Sequence, residues 1–104
     1  MNELGNSVLE KFVLEAIEAG ADEVEVEYKD GYELIFALKN GVGFGIGRLR
    51  SSTAEADNLR KELRALTKRK KSFVIGQRRI ELRARSFDSF GETAFRVTLL
   101  QQPE

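Results

Sequence analysis

The chain has no cysteine, no histidine and a single proline in 104 residues. Without cysteine there is no disulfide framework, no thiol nucleophile and no thiolate metal site. Without histidine the commonest general base and metal ligand is missing. A serine triad built on Ser51, Ser52, Ser86 or Ser89 is therefore excluded, and a hydrolytic zinc site is strongly disfavoured. A surplus of one charge is lacking too: 17 basic and 17 acidic residues cancel, leaving no global field to gather nucleic acid or an anionic membrane. No apolar run approaches the roughly 20 residues that cross a bilayer. The opening MNELGNSVLEKF has neither the basic region nor the apolar run of a signal peptide. The expectation is a cytoplasmic protein without membrane insertion, with no catalytic residue, no metal site and no cofactor.

An apolar share of 41% and a charged share of 33% suit a globular chain with a charged surface, and the length suits one domain over residues 1–104. Val8, Leu9, Phe12, Val13, Ala16 and Ile17 recur at helical spacing. Asn6 or Ser7 can cap that helix and Gly20 can close it in the left-handed region. The period then changes to two. In EVEVEY, Val24, Val26 and Tyr28 alternate with Glu23, Glu25 and Glu27, and Asp30-Gly31 marks a tight turn. YELIFAL follows, read with Tyr32, Leu34, Phe36 and Leu38 inward and with Ile35 and Ala37 on the far side. Asn40-Gly41 is a second hairpin signal leading into GVGFGIG. Ser52 and Glu55 have capping-box spacing before a second helix with the stripe Ala56, Leu59, Leu63 and Leu66. The basic run Lys68–Lys71 suits the negative end of that helix's dipole. SFVIG, RRIELRARS and TAFRVTLL read as three further strands, with a turn at Gly76-Gln77 and a loop at FDSFGE; Pro103 lies past them all. The order α-β-β-β-α-β-β-β with hairpin-length links predicts an α+β fold: a single, largely antiparallel sheet with two helices packed on it.

GVGFGIG, residues 41–47, invites reading as a phosphate-binding loop. It fails the Walker spacing, and as GxGxxG it places Arg48 at the final position. Strict alternation of glycine with Val42, Phe44 and Ile46 instead predicts a strand with one bare face, approached by another backbone, a helix or a partner. Ile35 and Ala37 together with Gly43 and Gly45 are the candidate interface, through which a protein partner or a second copy could bind. Arg79, Arg83 and Arg85 on one strand face could bind phosphate bidentately. They could equally form cross-strand ion pairs with Glu23, Glu25 and Glu27 if the strands are neighbours. Arg69, Lys70 and Lys71 could touch nucleic acid, but solvated surface is the favoured reading of that run.

From about Gly20 onward the order of segments resembles the N-terminal, PAS-like domain that precedes the motor core of type II secretion and type IV pilus assembly ATPases. ADEVEVE, residues 21–27, is similar to that family's Ala-Ser-Asp opening without its histidine, and DGYELIFALKNGV, residues 30–42, to its next hairpin. IGQRRIELRARSFDSFGETAFRVTLL, residues 75–100, carries the fullest match, with Leu82-Arg83 and Gly91-Glu92 falling where the pattern wants them. The resemblance implies a domain that closes over nucleotide held by a motor core, with arginines on its sheet reaching the phosphates. Arg83 matches such a position and Lys70 stands near another; the arginines usual in the first hairpin are replaced by Glu33, Ile35 and Ala37. No Walker motif follows, so ATP hydrolysis by this chain is not implied. Three readings result: a non-catalytic interaction or regulatory module, an accessory of a secretion or pilus system; a nucleotide or phosphate sensor using Lys70, Arg83 and Arg85; and, least favoured, a weak nucleic-acid binder.

Overall fold

The computed structural model describes residues 7–75 and 77–102. Helix α1 spans Val8–Glu18, β1 Glu23–Lys29, β2 Tyr32–Lys39, β3 Val42–Arg50, α2 Ala54–Lys68, β4 Lys71–Ile75, β5 Arg78–Ser89 and β6 Glu92–Gln102. This is the α+β order read from the sequence. All six strands join one sheet in the order β3-β2-β1-β6-β5-β4, each pair antiparallel. The first meander runs outward from the centre, α2 carries the chain across to the opposite edge, and the second meander runs back until β6 lies beside β1. No helix among the described residues is long and apolar enough to cross a membrane.

Both helices lie on the same face, called here the helix face. Leu9, Val13, Ala16 and Ile17 of α1 and Leu59, Leu63 and Leu66 of α2 share one core with Val24, Val26, Ile35, Ala37, Ile80, Leu82, Val97 and Leu99 of the sheet. Ser7 starts α1 by accepting from the Glu10 amide at 3.1 Å, and Gly20 follows its end at φ 82°; Asn6 and Gly76 lie outside the described residues. The cap of α2 is Thr53, not Ser52: its hydroxyl accepts from the Ala56 amide at 3.2 Å while donating to the Arg50 carbonyl at 2.7 Å. The basic run does not finish the helix as a block. Lys68 lies in its last turn, Arg69 is already extended, and Lys71 begins β4.

Among the described residues three two-residue turns have positive φ at both positions: Asp30-Gly31, Asn40-Gly41 and Phe90-Gly91. This is the type I′ conformation, whose twist matches that of paired strands. The third falls where the sequence suggests a loop. Strand β5 instead continues to Ser89, and Phe90 takes a left-handed conformation at φ 52° with its ring wholly in solvent.

The first turn also reverses the expected faces of β2. It pairs Lys29 with Tyr32, and therefore Val26 with Ile35 and Val24 with Ala37. Directly paired residues share a face. Ile35 and Ala37 accordingly point at the helices and are buried at 1% and 0% exposure, so they form no part of an exposed interface. Tyr32, Leu34, Phe36 and Leu38 lie on the opposite, outer face. Glu33 is carried inward with Ile35, and there it receives Arg60 of α2 at 3.1 Å and the Ser51 hydroxyl.

Strand β3 contains a bulge: Phe36 faces Gly45, but Ile35 faces Gly47. The extra residue, Ile46, packs against the core, and Gly47 also turns to the helix face. A Cβ on Gly47 would sit 2.5 Å from the Phe12 ring, whereas one on Gly45 would meet nothing within 4 Å. Gly47→Ala is expected to destabilise the fold by about 1–3 kcal/mol through overpacking. Most of that loss should vanish in a Phe12→Leu background. Gly45→Ala should be neutral or stabilising by roughly 0.5 kcal/mol. Urea denaturation of the four variants checks all three statements.

Candidate functional site

Among the described residues no helix covers the outer face of the sheet, and alternation along each strand paints it in stripes. At one edge β3 contributes Gly43, Gly45, Arg48 and Arg50. Next comes the apolar stripe of β2, where Tyr32, Leu34 and Phe36 are half-buried and Leu38 is buried. The Tyr32 ring lies under Arg48 and Arg50, whose guanidinium carbons are 4.8 and 5.6 Å from its centroid. Beyond it stands the acidic ladder Glu23, Glu25 and Glu27 of β1. Arg96 of β6 follows, and the β5 ladder Arg79, Glu81, Arg83 and Arg85 completes the row.

The acidic and basic ladders are not neighbours, because β6 separates them. The cross-strand ion pairs open to the sequence reading are therefore replaced by two separate clusters. In the first, Arg96 donates twice to Glu25 Oε1. Glu27 stands beside Glu25, and its carboxyl is held above the usual glutamate range by the hydrogen bond with Glu25, then by burial and by the Glu25 charge. Arg96 is held more firmly protonated than usual by the same carboxylate, against the opposing effect of burial.

In the second cluster Arg83 Nε donates to Glu81 Oε2 at 2.7 Å and Lys70 Nζ lies 3.4 Å from Oε1. The Arg83 hydrogen bond is the main reason the Glu81 carboxyl falls below its usual range. Lys70 and Arg83, both singled out from the sequence, are thus brought together. They line a depression of about 280 Å³ with Lys68 and Arg69 at the end of α2. Glu81, buried between them, already engages both. Arg85 lies further along the same strand face, opposite Arg96 in register.

Among the described residues two ion pairs that tie a helix to the sheet have no counterpart in the sequence reading. One is Glu33–Arg60; the other joins buried Glu10 of α1 to Lys71 of β4 at 3.3 Å. Counting outward from the two-residue turn at Asp30-Gly31 places Glu33 inward and could have exposed the first. The second is a long-range contact with no local signal. Among the described residues no group of three His, Cys, Asp or Glu side chains is placed to hold a metal ion. Comparison with protein-family models and with curated proteins finds no match.

The two clusters give opposite pH dependences. Glu27 binds its proton more tightly folded than unfolded, so its contribution to stability falls as pH rises from the ordinary glutamate value through the raised one. Glu81 does the reverse: its stabilisation is complete above the ordinary value and is lost as pH falls through the lowered one. Glu27→Gln is expected to raise the thermal midpoint at neutral pH, with no difference from the parent once Glu27 is itself protonated in acid. Glu81→Gln should lower the midpoint at neutral pH and converge with the parent in acid. Circular-dichroism melts across the acid range read both.

Proposed function

We propose that this chain is a non-catalytic interaction module that binds a protein partner across the outer face of its sheet. The observation that carries this reading is the apolar stripe Tyr32, Leu34 and Phe36, which the described helices leave uncovered. It is flanked by arginines on β3 and by glutamates on β1. An apolar strip rimmed by charge is the usual composition of a protein-binding surface, with the apolar centre giving affinity and the rim giving orientation. The resemblance to the N-terminal domain of secretion and pilus ATPases makes an accessory of such a system, working in the cytoplasm, the specific form of the proposal. Its test is affinity capture from source-cell lysate with and without nucleotide. One dominant protein should be recovered by the parent and lost on Phe36→Asp, which places a charge in the stripe without entering the helix-face core. Recovery that is equal for parent and variant removes the outer face from the proposal.

The meeting of Lys70 and Arg83 beside Lys68 and Arg69 favours a second reading, a site for a phosphate-bearing ligand. Such a ligand must compete with Glu81 for both cations. Calorimetric titration with ATP and with cyclic dinucleotides should then show binding strengthened by Glu81→Gln, and no heat at any ligand concentration would falsify this reading.

A further inference from the structure

The two edges of the sheet are unlike. Strand β4 pairs only with residues 78–82 of β5, which leaves residues 83–89 of that strand open on one side. Arg83 and Arg85 stand on that segment, and charged side chains on an edge oppose pairing with another strand. The other edge is β3. Residues 40–47, Asn-Gly-Val-Gly-Phe-Gly-Ile-Gly, carry no charge at all.

The Asn40-Gly41 turn fixes which backbone groups of β3 point outward. In a two-residue hairpin the residues flanking the turn exchange both of their hydrogen bonds, here Lys39 and Val42. Hydrogen-bonded pairs alternate with pairs that are not, so Phe44 also bonds inward to Ala37. The N–H and C=O groups of Gly43 and Gly45 therefore face away from the sheet. The same segment holds the exposed apolar side chains of this edge: Val42 is 70% exposed and Phe44 41%. Both point to the helix face, and neither belongs to the core that the helices close.

We propose that β3 pairs antiparallel with β3 of a second copy, about a two-fold axis through Phe44. This names a second copy as one partner of the module proposed above and rests on that reading, but it uses the edge of the sheet rather than its outer face. In this register Gly43 of one copy lies opposite Gly45 of the other, and these are the residues whose backbone groups are free to bond. Phe44 meets Phe44 in the closer, non-hydrogen-bonded position, and Val42 lies opposite the partly buried Ile46, so the exposed Val42 and Phe44 of each copy gain apolar neighbours. The uncharged run brings no like charges into opposition. The same operation on the β5 edge would set an arginine-bearing segment against itself. A contact of this size falls below that of a standard stable interface, so the dimer is expected to be concentration-dependent.

Sedimentation equilibrium of the purified chain over roughly two orders of magnitude in concentration tests the proposal. A monomer–dimer equilibrium is expected. Phe44→Lys sets two ammonium groups opposite each other and should leave only monomer. Gly45→Pro removes an outward N–H that no bond inside the chain uses, so it should also give monomer with the sheet intact, because proline is tolerated where the N–H faces out. Circular dichroism confirms that each variant is folded. In the parent, amide exchange at Gly43 and Gly45 should slow roughly tenfold or more from the dilute to the concentrated sample. A chain that stays monomeric throughout overturns the proposal. So does a dimer that survives both substitutions, or one that forms without protecting those two amides. Because Phe44 lies on the helix face and Phe36 on the outer face, loss of the dimer and loss of the captured partner are read by different variants.

Discussion

The two-residue turn at Asp30-Gly31 is the constraint on which the surface of this molecule depends. Strand side chains alternate, so the number of residues in a turn decides which half of the next strand meets the helices. With Lys29 opposite Tyr32, Val24 and Val26 draw Ala37 and Ile35 into the core, and Leu34 and Phe36 are left on the other side. Glu33 follows the same parity and is buried with them. An unpaired carboxylate there would be strongly destabilising, and Arg60, held also by the Ser51 carbonyl at 3.1 Å, satisfies it. Through Glu33 and Ser51, Arg60 ties the second turn of α2 to the start of β2 and to the residue that follows β3. A turn of two residues thus dictates both the apolar stripe outside and the salt bridge inside.

The outer face is organised by the central position of β6. Arg96 stands between the acidic and basic ladders and binds Glu25, which leaves Glu27 pressed against a carboxylate that is already engaged. On the far side Glu81 gathers Lys70 and Arg83. Arg96 thus engages one of the three carboxylates of the acidic ladder, and Glu81 stands between two cations of the basic cluster. The half-buried Tyr32, Leu34 and Phe36 lie apart from both clusters, with the Tyr32 ring under Arg48 and Arg50, and they carry the proposed binding surface.

Most of the architecture was legible in the sequence because it rests on local signals. The period change after Gly20, the Asp-Gly and Asn-Gly turns and the stripe Ala56, Leu59, Leu63 and Leu66 each name an element without reference to the rest of the chain. What escaped was set by pairing. Tyr32, Leu34, Phe36 and Leu38 are the inward set expected from the sequence, whereas counting from the turn puts Ile35 and Ala37 inward. Phe90-Gly91 was hidden because phenylalanine is a poor candidate for a left-handed turn position, and here the register between β5 and β6 imposes it. That β6 separates the two charged ladders depends on the crossover through α2, and no spacing in the sequence encodes it. For the candidate site, the sequence singles out Lys70, Arg83 and Arg85; the fold brings the first two together and leaves Arg85 further along the strand, while Glu81 is read only as part of an alternating strand.

The glycines of residues 41–47 separate into three physical cases. Gly41 holds φ 82° in a turn, where a Cβ is strained. Gly47 makes room for the Phe12 ring after the bulge has turned it inward. Gly43 and Gly45 do neither. Their backbone is not left-handed, a Cβ at Gly43 would find only ordinary contacts with Leu38 and Ala37, and one at Gly45 would find none. Within a single copy they weaken the edge strand without a compensating contact. The lysine or proline that commonly protects an edge would have to stand at just such positions to shield the outward N–H and C=O groups. With glycine there, those groups remain open beside the exposed Val42 and Phe44. The seven residues that first resemble a phosphate loop are thus an unguarded edge, and the cost of leaving it unguarded makes sense if another strand completes it.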